Sequence, residues 1–236
     1  MTSLRTDQVT LDEGAMDLRL WIPDGGPGPG LLLIQEIFGV GPYIRAVAER
    51  LAGAGYTVGA PDVFWRFAPG WEAGHDEAGL AASMGQAANL DPPRAVADCV
   101  AALDHLDTVA AGGRPGVIGF CLGGTLAFGV AIADEPAMCV SYYGSGVPDM
   151  VDRLEQLSCP TLLHFGNTDP YIPGEGVERV AEAIGRRDDV ILNVEQAGHA
   201  FDNHESAMFH DEAAARAAWS KTTAFLAQHL PTPVLH

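Results

Sequence analysis

The chain has 236 residues, of which 47% are hydrophobic, so it is long enough to bury the core of an α/β domain. Its formal net charge is -18, and only 13 residues are lysine or arginine. Because phosphate groups bind to basic surfaces, this charge argues against a nucleic-acid partner and is typical of an acidic, solvated surface.

The N-terminal residues and the spacing of the cysteines indicate a cytoplasmic location. Residues 1–8 are polar, unlike a signal peptide, and no apolar stretch reaches the roughly 18 residues that span a bilayer. The four cysteines are widely spaced, with no Cys-x-x-Cys pair: Cys99, Cys121, Cys139 and Cys159. We therefore expect a cytoplasmic protein with reduced thiols, no membrane association and no metal site.

Short apolar runs alternate with amphipathic segments along the chain. This alternation predicts an α/β fold with a mostly parallel central sheet of about seven to eight strands and helices on both faces. The predicted strands are 9–11, 16–22, 31–35, 56–60, the run before Cys121, 139–143, 161–165 and 190–194. The predicted helices are 42–54, 92–107, 125–133, 176–184 and 213–229. Residues 1–236 are expected to form a single domain.

The segment 61–89 is predicted to be a long irregular loop rich in aromatic residues. It carries Phe64, Trp65, Phe67 and Trp71. Long loops often cover an active site, but aromatic side chains also pack on their own domain. Both interpretations stay open at this point.

Cys121 lies in the most informative motif, Gly119-Phe120-Cys121-Leu122-Gly123-Gly124. The apolar run 117–118 before it and the helix-like run 125–133 after it indicate a strand, a sharp turn and a helix. Small residues two positions before and after a nucleophile define the nucleophile elbow of the α/β-hydrolase fold, because a Cβ at either position would collide with neighbouring backbone. Here the residue at the elbow is cysteine rather than serine.

Two further loops supply the partners that a nucleophilic cysteine needs. Asp169 follows the predicted strand 161–165, and His199 follows the last strand. The order nucleophile, acid, histidine is that of the α/β-hydrolases. His199 would take the thiol proton and later protonate the leaving group, while Asp169 would fix the imidazole tautomer. The sequence therefore predicts a Cys121-His199-Asp169 triad.

Glu36 follows the buried run 31–34, where an ionised side chain is costly unless it is paired. One interpretation has the carboxylate cap a loop or pair with an arginine such as Arg45, and the other places it opposite the thiol. The backbone N–H groups of Ile37 and Leu122 are the expected oxyanion donors, because one follows the third strand and the other follows the nucleophile.

The remaining histidines carry weaker signals. His164 lies inside a predicted strand and is expected to be a hydrogen-bonded core residue. His204 and His210 are expected on the surface of the loop before the last helix. The group His199, Asp202 and His204 does not have the spacing of a well-defined metal site.

At this point the sequence resembles the dienelactone hydrolase (carboxymethylenebutenolidase) family over nearly its whole length. The residues that carry the resemblance are Gln35-Glu36-Ile37-Phe38-Gly39-Val40, Gly55-Tyr56, Ala60-Pro61-Asp62, Ala68-Pro69-Gly70, the Cys121 elbow, Tyr142-Tyr143-Gly144, Asp169 and Ala197-Gly198-His199. The resemblance implies a monomeric, cofactor-free hydrolase of small-molecule esters or lactones, acting in the degradation of aromatic compounds. It also implies that Glu36 hydrogen-bonds the resting thiol and that substrate displaces it, which would protect Cys121 from oxidation.

The sequence departs from this family at its two carboxylate-binding arginines. Ala81 lies near the place of the first, and Asn203 stands at the place of the second. Possible substitutes for the arginines are Arg66, His75 and His204, and Trp65 and Asn203 are further candidates for substrate binding. Because arginine is hard to replace in bidentate carboxylate binding, the departure argues against dienelactone specificity, and the aromatic segment favours a more apolar substrate.

Three hypotheses follow. The leading one is a hydrolase that cleaves an ester or lactone through an acyl-thioester on Cys121. Within the same class, the alternative is a general carboxylesterase or thioesterase for neutral apolar substrates. Outside it, a binding protein that keeps the pocket without catalysis, or a redox-sensing thiol, would also retain these residues.

Overall fold

The computed structural model describes residues 2–232. The strands are β1 (Ser3–Leu11), β2 (Gly14–Ile22), β3 (Pro29–Ile34), β4 (Thr57–Pro61), β5 (Ala111–Phe120), β6 (Cys139–Tyr142), β7 (Thr161–Gly166) and β8 (Val190–Glu195). The α-helices are α1 (Pro42–Gly53), α2 (Glu77–Ala87), α3 (Pro92–Val109), α4 (Leu122–Ala133), α5 (Gly174–Ile184) and α6 (Glu212–His229). Within this described part of the chain, no helix is long and apolar enough to cross a membrane.

The strands form one sheet in the order β1-β2-β4-β3-β5-β6-β7-β8. The strands β1 and β2 form an antiparallel hairpin, and β2 joins the sheet antiparallel to β4. The remaining strands, β4, β3, β5, β6, β7 and β8, run parallel to one another. Every residue of β3, β6 and β7 is buried. Because successive side chains of a strand point to opposite faces, both faces of the sheet are covered at its centre. The predicted mostly parallel sheet is confirmed.

The structure differs from the sequence prediction in two places. The segment 61–89 is not irregular throughout, since α2 occupies Glu77–Ala87 and begins where the Asp76 side chain accepts a hydrogen bond from the Gly79 amide. A 3₁₀ helix, which was not predicted, spans Val147–Gln156. The other helices and strands agree with their predicted ranges to within a few residues, apart from extensions of β1 and β5 and an earlier start of α4.

The aromatic residues of the segment 61–89 pack on the body of the protein. Phe64 is fully buried and its ring contacts that of Phe67, 5.2 Å away. Trp65 and Trp71 are half-buried against the core. Phe64, Trp65 and Trp71 therefore pack on the domain, whereas Phe67 is partly exposed.

The turn between β5 and α4 has no room for side chains at its flanking glycines. Cys121 has a φ of 55° and a ψ of -115°, a conformation that is strained for any residue with a Cβ. A Cβ added to Gly119 would lie 1.9 Å from the Gly123 carbonyl oxygen, and one added to Gly123 would lie 2.2 Å from that of Ile34. The glycines therefore allow the strand and helix to approach closely enough to form the elbow.

We expect Gly123→Ala to lower the free energy of unfolding by about 2–4 kcal/mol, because its methyl group would collide with backbone that cannot move aside. The matched control is Gly85→Ala on the exposed side of α2, where an added Cβ meets nothing within 4 Å. That substitution should raise stability by about 0.5–1 kcal/mol. Urea unfolding followed by circular dichroism measures both, and equal effects would contradict the steric argument.

Candidate active site

Cys121, His199 and Asp169 lie in one hydrogen-bonded row at the carboxyl edge of the sheet. Cys121 follows β5, Asp169 follows β7 and His199 follows β8. His199 Nε2 is 3.1 Å from the Cys121 sulfur, and His199 Nδ1 is 2.6 Å from Asp169 Oδ2. The structure thus brings together the three residues that the sequence predicted as a triad, at distances over which a proton can pass between sulfur and imidazole.

The electrostatics of this row favour a charged imidazole. Burial opposes protonation of His199, but the neighbouring Cys121 thiolate and the hydrogen bond to Asp169 outweigh it, and the pKa of His199 rises from 6.5 to about 10. A protonated His199 beside Cys121 stabilises a thiolate, which is the nucleophilic form of cysteine.

Asp169 and the His199 ring are held from several sides. Asp169 Oδ1 accepts a hydrogen bond from the Tyr171 amide at 2.8 Å, so each of its carboxylate oxygens has a partner. The rings of Tyr143 and Tyr171 contact the imidazole edge-on, with centroids 5.2 Å and 4.9 Å away. These contacts fix the orientation of the imidazole toward the sulfur.

Two residues whose backbone amides were predicted as oxyanion donors lie in the wall of the cavity that contains the thiol. Ile37 and Leu122 both line it, and Leu122 is the first residue of α4. Among residues 2–232, neither amide has a hydrogen-bond acceptor in the protein. The N-terminus of a helix adds a favourable field for negative charge. The fold therefore brings both predicted donor residues to the cavity of Cys121.

Glu36 lies deep in the site but is bonded to groups other than the thiol. Its Oε1 is 2.6 Å from His75 Nε2, and Asn203 Nδ2 is 3.1 Å from Oε1 and 3.0 Å from Oε2. Within the described residues, no hydrogen bond links Glu36 to Cys121. The expected contact with the resting thiol is therefore not formed. The alternative pairing with Arg45 is wrong as well, since Arg45 binds Glu72.

A cavity of about 290 Å³ opens beside Cys121 and His199, and its wall is mainly apolar. The apolar side chains in the wall are Ile37, Phe38, Leu80, Met84, Ala87, Leu122, Tyr171, Ala200 and Phe209. The ionisable residues Glu36, Cys121 and His199 also contribute to the wall. From residue 2 to residue 232, no lysine or arginine contributes to it, so the cavity offers neither a guanidinium nor an ammonium group to a carboxylate.

Most of the candidate substrate-binding residues do not reach this cavity, which corrects the prediction. Arg66 forms an ion pair with Asp98, and Trp65 Nε1 donates to the same carboxylate, so both side chains are held elsewhere. Asn203 is fully buried and contacts Glu36 rather than the open space. His204 is exposed beside Glu205. Among the described residues, His75 touches the cavity residues Glu36 and Phe38, and Asn203 touches Glu36 and Ala200.

The cavity wall contains residues that the sequence analysis missed. Leu80, Met84 and Ala87 come from α2, and Phe209 comes from the loop before α6. The available signal for α2 was Asp76, a favourable N-cap residue. Gly79 and Gly85 weakened that signal, because glycine is a poor helix former.

Core predictions made from single residues are confirmed. His164 is fully buried, with Nε2 3.0 Å from Thr222 Oγ1 and Nδ1 2.8 Å from Asn193 Nδ2, and burial lowers its pKa to about 3. Cys99, Cys139 and Cys159 are buried, whereas Cys121 is half-buried. Cys121 is therefore the most accessible thiol among the described residues.

The eight-stranded sheet and the elbow define an α/β-hydrolase fold. The model of the dienelactone hydrolase family matches residues 16–230, and the chain belongs to this family of ester and lactone hydrolases. It is 32% identical over 231 residues to a carboxymethylenebutenolidase of Pseudomonas sp. (strain P51), covering 96% of this chain and 97% of that protein. It is 33% identical over 210 residues to carboxymethylenebutenolidase 1 of Cupriavidus pinatubonensis (strain JMP 134 / LMG 1197), covering 87% and 88%.

Solved structures show the same fold. The crystal structure of a dienelactone hydrolase-like promiscuous phosphotriesterase from metagenomic libraries superposes with a TM-score of 0.78 at 22% identity. The match covers 97% of this chain and 98% of that one. At this level of identity the similarity concerns the fold.

We expect Cys121→Ala to lower the pKa of His199 below about 10, because the thiolate makes the largest contribution that raises it. Nitrogen NMR of the labelled imidazole measures the titration directly. Cys99→Ala, at a buried thiol of α3, is the matched control and should leave the His199 titration in place. An unchanged titration in Cys121→Ala would contradict a coupled sulfur–imidazole pair.

Proposed function

We propose that this hydrolase cleaves a carboxylic ester or lactone through Cys121, with His199 and Asp169 as its proton-transfer partners. The observation that supports this most directly is the unbroken row Cys121–His199–Asp169, with contacts of 3.1 Å and 2.6 Å, in the wall of a cavity. Relatives named carboxymethylenebutenolidase favour a lactone as one substrate.

In the first half of the proposed reaction, the Cys121 thiolate attacks the carbonyl carbon of the substrate. The carbonyl oxygen becomes an oxyanion, which the amides of Ile37 and Leu122 are placed to stabilise. Collapse of this intermediate breaks the bond to the leaving oxygen, which takes the proton from His199 Nε2. The products are an acyl-thioester on Cys121 and a neutral His199.

In the second half, water hydrolyses the acyl-thioester. His199 takes one proton from the water, and the resulting hydroxide adds to the thioester carbon. Collapse expels the Cys121 thiolate and releases the carboxylic acid, which loses its proton to solvent. His199 remains protonated, so the pair returns to its starting charge state. Asp169 orients the neutral imidazole and stabilises the imidazolium whenever it forms, without being protonated itself.

Cys121→Ala is expected to reduce turnover of a short-chain aryl ester by a factor of about 10⁴ or more while the protein remains folded. The reason is that no other side chain in the cavity wall is placed to form the thioester. Initial rates and circular dichroism measure the two effects, and mass spectrometry of the wild type at early times should detect the added acyl group.

The matched control is Cys99→Ala, which removes a buried thiol far from the row and should keep the wild-type rate constant within about threefold. Turnover that survives in Cys121→Ala would reject the nucleophile assignment. A folded wild type without any esterase activity would favour the binding-protein hypothesis. An acyl-enzyme that forms but does not turn over would reject hydrolysis as the main activity.

A second candidate function, hydrolysis of neutral apolar esters or thioesters, is favoured by the wall of the cavity. Its apolar side chains come from α2, the Glu36 loop and the Phe209 loop, and within residues 2–232 no lysine or arginine joins them. The net charge of -18 also repels an anionic substrate at a distance. Neutral substrates therefore suit this cavity better than a dienelactone carboxylate does.

Met84→Arg should raise kcat/KM for an anionic ester by up to about fivefold relative to its neutral analogue, because Met84 lies half-exposed in the cavity wall. Ala82→Arg, on the exposed part of α2 outside the wall, is the matched control for the added charge. Rates for both substrates at low ionic strength measure the effect. A wild type that already prefers the dienelactone carboxylate would contradict the neutral-substrate assignment.

A further inference from the structure

The partners of Glu36 are unusual for a carboxylate so close to a nucleophile. The Glu36 side chain is 2% exposed and that of His75 is 5% exposed, so their 2.6 Å contact is shielded from water. Asn203 donates to both carboxylate oxygens from the other direction. Both oxygens of Glu36 therefore have donors that are not the thiol.

His75 is held in place by the rest of its loop. Gly39 and Glu72 form a backbone bridge, and the Ala73 amide donates to the Phe38 carbonyl at 3.3 Å. The rings of Phe38 and His75 lie 4.3 Å apart. The segment that carries His75 is thus fastened to the segment that carries Glu36 by two backbone contacts and by the contact between the Phe38 and His75 rings.

The bridge between these two segments is closely packed and charged. Gly39 has a φ of +86°, and a Cβ there would lie 1.8 Å from the Trp71 carbonyl oxygen. Glu72 accepts hydrogen bonds from both Arg19 and Arg45, at 3.2 Å and 2.7 Å. These contacts limit the movement of His75 away from Glu36.

We propose that His75 is a positioning residue that holds the Glu36 carboxylate away from Cys121, so that the thiol is paired with His199 before any substrate binds. The inference rests on the proposed role of Cys121 as the nucleophile. Glu36 and Cys121 line the same cavity, and a carboxylate released from His75 has the thiol as an alternative partner. A thiol engaged by Glu36 would no longer be paired with His199 and would react more slowly.

Asn203 and His75 have different parts in this arrangement. The Asn203 amide is neutral, and its Oδ1 accepts the Glu205 amide at 3.0 Å, which fixes its direction. The His75 contact to Glu36 is the shorter one, at 2.6 Å against 3.0 Å and 3.1 Å for the contacts of Asn203. Loss of His75 therefore removes the shorter contact of Glu36 Oε1, while the longer contacts from Asn203 to the two oxygens remain.

The experiment measures alkylation of the resting enzyme by iodoacetamide in the absence of substrate. In this reaction the Cys121 thiolate displaces iodide and forms a thioether. The other three cysteines are buried, and peptide mass spectrometry verifies that Cys121 is the alkylated residue. The variants are His75→Ala, His75→Gln, Glu36→Gln and the double variant of Glu36→Gln with His75→Ala.

His75→Ala is expected to slow alkylation about tenfold, which corresponds to the loss of one hydrogen bond to a charged group. In the Glu36→Gln background, the same substitution should change the rate by less than about twofold, because no carboxylate remains to approach the thiol. His75→Gln should restore most of the rate, since its amide N–H₂ donates from nearly the same place as Nε2.

Other outcomes would overturn the proposal. Equal slowing by His75→Ala in both backgrounds would mean that the imidazole only supports the loop. Alkylation of His75→Ala at the wild-type rate would mean that His75 does not control Glu36, while the proposed hydrolysis would stand on the Cys121→Ala result. If the wild type itself reacts no faster than a free thiol, Cys121 is not an activated nucleophile, and the proposal for His75 is wrong as well. Should His75→Ala not fold, His75→Asn, whose shorter amide does not reach Glu36, takes its place.

Discussion

Cys121 has a left-handed backbone conformation in a turn where the flanking glycines lie against neighbouring carbonyl oxygens. Such a conformation is costly, and it persists because β5 and α4 are fixed on both sides by the buried sheet and by helix packing. This turn places the Cys121 sulfur at the start of α4, next to Leu122 in the chain and 3.1 Å from His199 Nε2. The positions of the other residues in the site are useful only because this turn holds.

The parallel sheet explains how residues far apart in sequence meet at this turn. Glu36, Cys121, Asp169 and His199 each follow a different parallel strand, and the carboxyl ends of those strands share one edge. Burial at this edge removes water that would otherwise screen the charges. The interaction between sulfur and imidazole is therefore strong enough to raise the pKa of His199, although burial alone would lower it.

The site has two parts of different origin. The reacting groups lie on the short loops that end the strands, where the fold dictates their positions. The cavity wall comes largely from α2 and from the loop before α6, which lie outside the sheet. The family relationship therefore fixes the reaction class more closely than the substrate, since the part of the wall that α2 supplies does not follow from the sheet that positions Cys121, Asp169 and His199.

The sequence by itself determined the parallel sheet, the elbow and the order of Cys121, Asp169 and His199, because these depend on local patterns and on the rule that parallel strands end at a common edge. It did not determine the partners of Glu36, which lie 39 and 167 residues further along the chain. Nor did it reveal that Arg66 is held by Asp98, or that α2 forms part of the cavity. Only the tertiary structure decided these points, because the direction of a long side chain and the packing of a weak helix depend on contacts between distant segments that no local pattern encodes.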